Sequence, residues 1–392
     1  MKAFIIAGEP SGDKLGGALM AGLNSLHPEI RFQGVGGAAM ESEGLHSLFD
    51  MDDLSVMGLL EVLPRIPKLL RRIKQTVAAA QRFEPDVLIT IDSPDFCLRV
   101  AEKLKATRPN LKVVHYVAPS VWAWRPERAE KMARHVDHVL ALLPFEPPYM
   151  TAAGMSCDFV GHPIVAERQP TGDETAAFAQ EQGIDPNRPV VCLLPGSRRG
   201  ELSRMGPIHS EVARRIAMQV EGVQFVLPAA SAVVGQVKAM VEGWEVAPFV
   251  LDPRGQGVAQ NEHRKRMVFT LSDAALATSG TVALELAAAR CPMVVGYKAN
   301  YLTTRMVKKL AQIDTANLIN IVTQTREIPE FLFESCTAEL IAPALLALLK
   351  DRQVAEGQKK ACAQTMRALG LGGEDPGVRA ARSVLGFLDR AD

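Results

Sequence analysis

Acidic, hydroxyl-bearing and basic side chains follow several short apolar runs of this chain, at the points where buried strands would end. The clearest case is "ITIDSPDF", residues 89–96, in which Asp92 comes directly after an apolar run. Ligands of open α/β sheets bind at the carboxyl ends of parallel strands, so a carboxylate there can act as a general base. The alternative is that Asp92 or Asp95 only caps the helix that follows.

A second loop, "GEPSGDK" at residues 8–14, has the general form of a phosphate-binding P-loop but does not match its pattern. The spacing between the glycines is one residue short, and Asp13 and Lys14 are followed by leucine instead of serine or threonine. The carboxylates of Glu9 and Asp13 suit a ligand that offers hydroxyl groups better than they suit an anion. Helix capping by Asp13 or Ser11 is the alternative.

The loop "LLPGSRRGEL", residues 193–202, has the opposite character, because it joins a strand to a helix with small and basic residues. Gly196 and Ser197 offer backbone N–H groups at the start of the helix, and Arg198 adds a guanidinium group. Together these groups suit a diphosphate. The alternative is a basic turn that is simply solvated.

The stretch "ATSGTVALE", residues 277–285, repeats this order of strand, small-residue turn and helix. Ser279, Gly280 and Thr281 open the helix and can donate hydrogen bonds to phosphate. Glu285 lies about one helical turn further on, where its carboxylate could accept both hydroxyl groups of a ribose. The alternative is that Glu285 pairs with Arg290 in the core; function is favoured because a buried carboxylate is otherwise costly.

Residues 54–74, "LSVMGLLEVLPRIPKLLRRIK", form a basic amphipathic stretch. Such a stretch can lie in the interface of an anionic membrane, although a helix packed on the sheet is the alternative that the residues alone favour. The apolar side chains that we assign to this face are Val56, Met57, Leu60, Leu63, Ile66 and Leu70.

The elements that must position these residues alternate between apolar strands and amphipathic helices in both halves of the chain. This alternation is typical of a doubly wound α/β sheet. We therefore predict an α/β protein with two Rossmann-like domains, whose parallel sheets face a central cleft. The domains are assigned to residues 1–165 and 166–338, followed by a helical C-terminal segment, residues 339–392, that packs on the first domain.

The composition narrows the class of partner. Among 392 residues, Lys plus Arg and Asp plus Glu both number 44, so a zero formal net charge argues against nucleic acid. The six cysteines are scattered without a CxxC pair, which favours a reducing compartment. No signal peptide or spanning segment is recognisable. An Asp-x-Asp in "DMDD", residues 50–53, has no His or Cys cluster beside it, so we expect neither a metal nor a cofactor.

Taken together and in this order, the loops resemble those of the lipid-A-disaccharide synthases, a family of bacterial glycosyltransferases of GT-B fold. The similarity spans residues 8–298 and is weaker towards the C-terminus. Its most specific stretches are "PSVWAWR" and "SGTVALE"; the others include "GEPSGD", "LSVMGLLEVL", "IDSPDF", "LPFE", "GHP", "LLPGSR" and "CPMVVGYK".

The resemblance implies an inverting transfer from UDP-2,3-diacylglucosamine to 2,3-diacylglucosamine-1-phosphate (lipid X). The product has a β-1,6 link, and UDP is released. The family also implies a peripheral position on the cytoplasmic face of the inner membrane and a homodimer in which the C-terminal segment, residues 339–392, is exchanged between subunits. Because both substrates carry acyl chains, the resemblance now favours the membrane interpretation of residues 56–73.

The resemblance also assigns roles to residues. Asp92 becomes the catalytic base, and we place Glu9 and Ser11 with it at the acceptor sugar. Arg198 and Glu285 serve UDP, together with the turn residues around them: Gly196, Ser197, Ser279, Gly280 and Thr281. Asn320, in "LINIV", is implied to lie near the donor, although the residues after it depart from the family's usual form.

Two other classes remain open at this point. Another GT-B enzyme, such as a UDP-sugar epimerase, would use the same nucleotide-binding half without a lipid. A non-catalytic carrier of lipid or nucleotide would need the pocket but not Asp92.

Overall fold

The computed structural model describes residues 1–54, 66–299, 305 and 313–390. The chain divides into two compact units. Unit 1 comprises Met1–Ala166 and Leu369–Asp392, and unit 2 comprises Glu167–Ala368.

Unit 1 is built on a parallel six-stranded sheet with the order β2-β1-β3-β4-β5-β6. The strands are β1 (Lys2–Ala7), β2 (Arg31–Val35), β3 (Val87–Ile91), β4 (Lys112–Tyr116), β5 (His138–Ala141) and β6 (Ser156–Phe159). The strand order reverses between β1 and β3, which makes the loops after these two strands the expected place for a ligand. These loops carry "GEPSGD" and "IDSPDF".

Helices cover both faces of this sheet. They are α1 (Pro10–Leu26), α2 (Ala38–Ser42), α3 (Ile66–Phe83), α4 (Pro94–Thr107), α5 (Glu127–Ala133) and α6 (Pro147–Ala152). Strands such as β1 and β3 are almost wholly buried, as apolar parallel strands with helices on both faces must be. Two separate apolar clusters therefore form the core of unit 1, one on each face of the sheet.

Unit 2 repeats this architecture with the order β12-β11-β10-β7-β8-β9, again parallel. Its strands are β7 (Val190–Leu194), β8 (Gln224–Pro228), β9 (Phe249–Leu251), β10 (Ala274–Thr278), β11 (Met293–Tyr297) and β12 (Glu330–Leu332). Here the order reverses between β7 and β10. The loops after these strands carry "PGSRRG" and "SGT", so each sheet places its two chemically richest loops side by side.

The helices of unit 2 are α7 (Gly172–Gln182), α8 (Arg199–Ala217), α9 (Val234–Val241), α10 (Val258–Leu271), α11 (Val282–Ala288), α12 (Leu318–Thr323), α13 (Ala338–Lys350) and α14 (Arg352–Ala368). The predicted doubly wound α/β class is confirmed in both units. The helical C-terminal segment is shared between them, because α13 and α14 pack within unit 2 and the next helix packs within unit 1.

That last helix, α15 (Pro376–Asp389), lies against α1. The two backbones approach closely through glycines. A Cβ atom on Gly22 would lie 2.7 Å from the carbonyl oxygen of Gly377, and a Cβ atom on Gly377 would lie 2.5 Å from that of Ala18. The crossing therefore depends on the absence of side chains at both positions.

Candidate active site

Asp92 and Ser93 adopt left-handed backbone conformations directly after β3, with φ angles of 48° and 42°. Such conformations cost about 1–3 kcal/mol each in residues other than glycine and cluster at functional sites. The N-cap of α4 is Ser93, and its side chain makes no capping hydrogen bond. The capping alternative for Asp92 is therefore not realised, and its carboxylate lies half-buried at the carboxyl edge of the sheet.

The loop after β1 packs directly against this strained turn. A Cβ atom on Gly8 would lie only 2.5 Å from Ser93 Oγ, so glycine is required for the approach. Glu9 occupies the N-cap position of α1, and Ser11 is exposed in the first turn. The structure thus brings Glu9 and Ser11 to the same sheet edge as Asp92.

Asp13, in contrast, is buried, and its carboxylate accepts hydrogen bonds from three backbone N–H groups. The donors are Gly37 at 2.8 Å, Ala39 at 2.9 Å and Met40 at 3.1 Å. Asp13 therefore holds the start of α2 instead of capping its own helix. Its hydrogen bonds connect the loop after β1 to the segment after β2, so the carboxylate is bound by backbone N–H groups of the chain.

The loop after β4, residues 117–126, is a further strained segment. Val117 and Arg125 have φ angles of 82° and 54°, and the guanidinium of Arg125 stacks on Trp124 at 4.5 Å from the ring centroid. A positive φ in a β-branched residue such as valine is unusual and implies that the surrounding structure imposes it. We group residues 8–11, 92–95, 117–126 and 142–146 as the unit 1 strand-end loops.

Glu146, at the end of "LPFE", ties two of these loops together. Its carboxylate accepts hydrogen bonds from Leu143 N at 3.0 Å and from Trp122 Nε1 at 3.3 Å. Burial raises the pKa of Glu146 to about 7, although both hydrogen bonds act in the opposite direction. The sequence pattern did not single out this residue; its position just beyond a strand end was the signal that could have found it.

In unit 2, a pocket of about 540 Å³ opens at the carboxyl ends of β7 and β10. We call it the unit 2 pocket. It brings together every residue predicted to bind UDP except Asn320. These lining residues are Gly196, Ser197, Arg198, Ser279, Gly280, Thr281 and Glu285.

One side of the unit 2 pocket already holds a carboxylate of the chain. Oε2 of Glu201 accepts hydrogen bonds from the backbone N–H groups of Ser197 at 3.0 Å and Arg198 at 3.3 Å. Gly196 permits this turn, because its φ is 115° and a Cβ atom there would lie 2.5 Å from Glu201 Cβ. The amides therefore have the geometry to bind an anionic oxygen. Glu201 was missed, although a glutamate at the third helical position is a recognised capping signal.

The opposite side of the pocket holds Glu285 in an ion pair. Its Oε2 lies 2.7 Å from Nζ of Lys265, and the same ammonium lies 2.7 Å from Glu262. The alternative pairing with Arg290 is not realised. Burial raises the pKa of Glu285, and Lys265 acts against this effect. Nothing in the sequence pattern pointed to Lys265, because it is one of several basic residues in α10.

Asn320 is not among the residues that line the unit 2 pocket. It is fully buried, its Nδ2 donates to the carbonyl of Ile328 at 2.8 Å, and its Oδ1 accepts from Ile328 N at 3.0 Å. Both ends of the amide thus fix a turn of the chain. A role of Asn320 at UDP stays a prediction.

Four residues of the predicted membrane face, Val56, Met57, Leu60 and Leu63, lie outside the described residues. The other two, Ile66 and Leu70, are 40% and 45% exposed at the start of α3. Among residues 1–54, 66–299 and 313–390, no helix combines the length and the apolar character needed to cross a membrane. In the same part of the chain, no three His, Cys, Asp or Glu side chains are grouped as a metal site.

The fold is shared with solved structures of proteins bound to UDP or UDP-GlcNAc. The UDP-GlcNAc 2-epimerase from Neisseria meningitidis, bound to UDP-GlcNAc, aligns with a TM-score of 0.61 over 100% of both chains at 13% identity. The MnaA–UDP co-structure from S. aureus aligns with a TM-score of 0.63 over 99% of this chain and 95% of that one, at 12% identity. These likenesses confirm the GT-B fold class; at such identities they show the fold alone.

The sequence itself is much closer to one family. The profile described as "Lipid-A-disaccharide synthetase" matches residues 3–374. The lipid-A-disaccharide synthase of Ruegeria pomeroyi is 54% identical over 99% of this chain and 96% of its own length. That of Rhodospirillum centenum is 41% identical over 99% and 94%. This chain, with its paired strand-end loops and its unit 2 pocket, therefore belongs to the lipid-A-disaccharide synthetase family.

Proposed function

We propose that the protein is an inverting glycosyltransferase that joins UDP-2,3-diacylglucosamine to 2,3-diacylglucosamine-1-phosphate. It forms the β-1,6 disaccharide and releases UDP. The observation that carries this proposal is the unit 2 pocket, in which amides that bind a carboxylate lie in the same cavity as Glu285. Anion recognition and hydroxyl recognition side by side are what a nucleoside diphosphate requires.

The donor's diphosphate binds the backbone N–H groups of Ser197 and Arg198, where it takes the place of the Glu201 carboxylate. The Arg198 guanidinium and the helix start at residues 279–281 supply further donors. Glu285 accepts the ribose hydroxyl groups. These contacts stabilise the charge that develops on UDP as it leaves.

The acceptor sugar binds the unit 1 strand-end loops. Inversion needs a single displacement, so one base must remove the proton from the attacking hydroxyl. Asp92 takes the proton of the acceptor's 6-hydroxyl, and Glu9 and Ser11 bind neighbouring hydroxyl groups. The strained backbone at residues 92 and 93 fixes the direction of the carboxylate.

The acyl chains of both substrates call for an apolar docking surface, and we assign it to the stretch that includes Ile66 and Leu70. Exposed leucine and isoleucine side chains among basic residues suit the cytoplasmic face of an anionic membrane. Replacing both by serine is expected to reduce sedimentation with anionic vesicles while the melting temperature is kept. Unfolding of the variant would instead place these side chains in the core. A homodimer, which the family resemblance implies, stays a prediction.

The decisive experiment is mass spectrometry of the products after incubation with UDP-2,3-diacylglucosamine and lipid X. We expect a tetra-acyl disaccharide phosphate, and none when lipid X is omitted. Release of UDP without this product would contradict the proposal. A UDP-sugar epimerase would instead convert UDP-N-acetylglucosamine in the absence of lipid, and a carrier would bind both substrates unchanged.

A further inference from the structure

Lys265 is a charged side chain of the unit 2 pocket that the reaction described above does not use. It projects from α10, its side chain is only 24% exposed, and it lines the cavity. Its ammonium bridges two carboxylates, Glu285 and Glu262, at 2.7 Å each. A lysine held in this way is not a solvated surface charge, because it is mostly buried and both of its partners line the same pocket.

The charges that line the pocket indicate what this ammonium group does. Three carboxylates line the cavity, those of Glu201, Glu262 and Glu285, against two cations, Arg198 and Lys265. A diphosphate brings further negative charge. Without Lys265, the pocket would place an anionic ligand beside two unbalanced carboxylates.

Glu285 is the carboxylate of the pocket that this excess of negative charge affects most. Burial raises its pKa, and the charges of Glu262 and Glu167 act in the same direction. Glu167 is itself paired with Arg266 at 3.0 Å. Lys265 lowers the pKa of Glu285, through both its charge and its hydrogen bond.

We propose that Lys265 is a positioning residue for the donor: its ammonium holds the Glu285 carboxylate ionised and fixed, ready to accept the hydroxyl groups of a ribose. Glu262 holds the ammonium from its other side. This inference rests on the proposed function, because it presumes that Glu285 binds the sugar of a nucleotide.

This role of Lys265 makes nucleotide binding depend on pH in a defined way. When the ammonium is removed, Glu285 and Glu262 repel each other, and the pKa of Glu285 rises further. A protonated carboxyl group accepts ribose hydroxyl groups less well than a carboxylate does. Ligand binding must therefore be weaker below the new pKa and recover as the pH rises through it.

The test is calorimetric titration of the full chain with UDP, from about pH 5.5 to about pH 9, for the wild type and Lys265→Met. We expect UDP to bind the variant more weakly than the wild type, with the largest difference at the acid end of this range, where a pKa rise of about one unit weakens binding by at most about tenfold. The two curves should converge at alkaline pH. Lys265→Arg keeps the charge and should restore most of the affinity and the wild-type pH profile.

Arg215→Met provides the matched control. Arg215 bridges two carboxylates of unit 2, Glu211 and Glu339, at 2.6 Å each, but lies outside the pocket. Its loss should leave UDP affinity unchanged at every pH. If Lys265→Met does not give a cooperative thermal transition, Lys265→Gln replaces it in the same titration.

The outcomes separate this inference from the proposed function. Failure of the wild type to bind UDP would refute the nucleotide assignment itself. Equal affinity of wild type and variant at every pH would overturn only the role of Lys265. A uniform loss at all pH values that arginine does not restore would also overturn it, because that result indicates a structural role.

Discussion

The candidate binding regions of the two units are built in different ways. In the unit 2 pocket, ion pairs and hydrogen bonds to carboxylates position the side chains. Lys265 lies between two carboxylates, and Glu201 accepts hydrogen bonds from backbone N–H groups of the turn. Among the residues that line it, a positive φ occurs only at a glycine, Gly196. The unit 1 strand-end loops instead contain four non-glycine residues with positive φ: Asp92, Ser93, Val117 and Arg125.

This difference matches the two tasks. A nucleotide is bound and released at each turnover, so its site needs charges that can exchange partners. A general base must keep one direction towards the reacting hydroxyl, and a backbone held in an unfavourable conformation by its surroundings provides that. The comparison predicts that damage to unit 1 lowers turnover, whereas damage to unit 2 lowers donor affinity.

Asp92→Asn is expected to have the largest effect. Asparagine tolerates the left-handed backbone, so the loop should keep its shape while the base is lost. Turnover should fall by about 10²–10⁴-fold with the UDP dissociation constant unchanged. Steady-state kinetics and calorimetry measure the two quantities. Glu102→Gln, at an exposed position of α4 outside the strand-end loops, is the control. Turnover near that of the wild type would remove Asp92 from catalysis and end the contrast between the units.

Glu285→Ala should produce the converse result. Hydrogen bonds to a charged group contribute about 1.5–3 kcal/mol, so UDP should bind about 10–150-fold more weakly. Lys265 keeps Glu262 as a partner, so the unit should remain folded. Glu211→Ala, which removes a carboxylate of α8 outside the pocket, serves as the comparison. An unchanged dissociation constant for UDP would exclude Glu285 from ribose binding.

Gly196→Ala tests how much the backbone conformation of the turn contributes to UDP binding in the unit 2 pocket. Its φ of 115° and the 2.5 Å approach to Glu201 Cβ leave no room for a methyl group. We expect a loss of about 2 kcal/mol, seen as roughly thirtyfold weaker UDP binding. Gly235→Ala is a control in the same unit, because no atom lies within 4 Å of its added Cβ. If both variants bind UDP equally well, the turn is not part of the donor site.

Glu146→Gln should have the smallest effect on activity, because it should change the free energy of unfolding and leave UDP affinity unchanged. Burial raises the folded-state pKa of Glu146 to about 7 from a usual value of 4.5. The folded protein therefore binds an extra proton between these values, and its stability falls as the pH rises through this window. Glutamine cannot titrate, so the variant should gain about 2–3 kcal/mol relative to the wild type between about pH 5 and about pH 8.

Urea denaturation at several pH values measures this difference. Glu127→Gln, at an exposed position of α5, should run parallel to the wild type. A parallel line for Glu146→Gln as well would mean that Glu146 is not held neutral by the loops.

The sequence was sufficient for features that local patterns determine. Apolar runs and turn residues placed β3, β7 and β10, and the loops after them carried Asp92, Arg198 and Glu285. Chain order did not reveal the contacts that long-range packing creates. Asp13 meets its backbone partners more than 20 residues away, and Lys265 meets Glu285 only because α10 packs beside α11. Burial turned these ordinary charged residues into parts of a site.

The close crossing of α1 and α15 has a consequence for how the protein is made. Unit 1 needs α15 to cover α1, yet residues 376–389 leave the ribosome after the whole of unit 2. Unit 2 is continuous in the chain, so it can complete its core during synthesis although it begins later. Until α15 has been synthesised, the apolar face of α1 that it covers stays exposed in the first half of the nascent chain. It is therefore the part of the molecule for which a chaperone matters most.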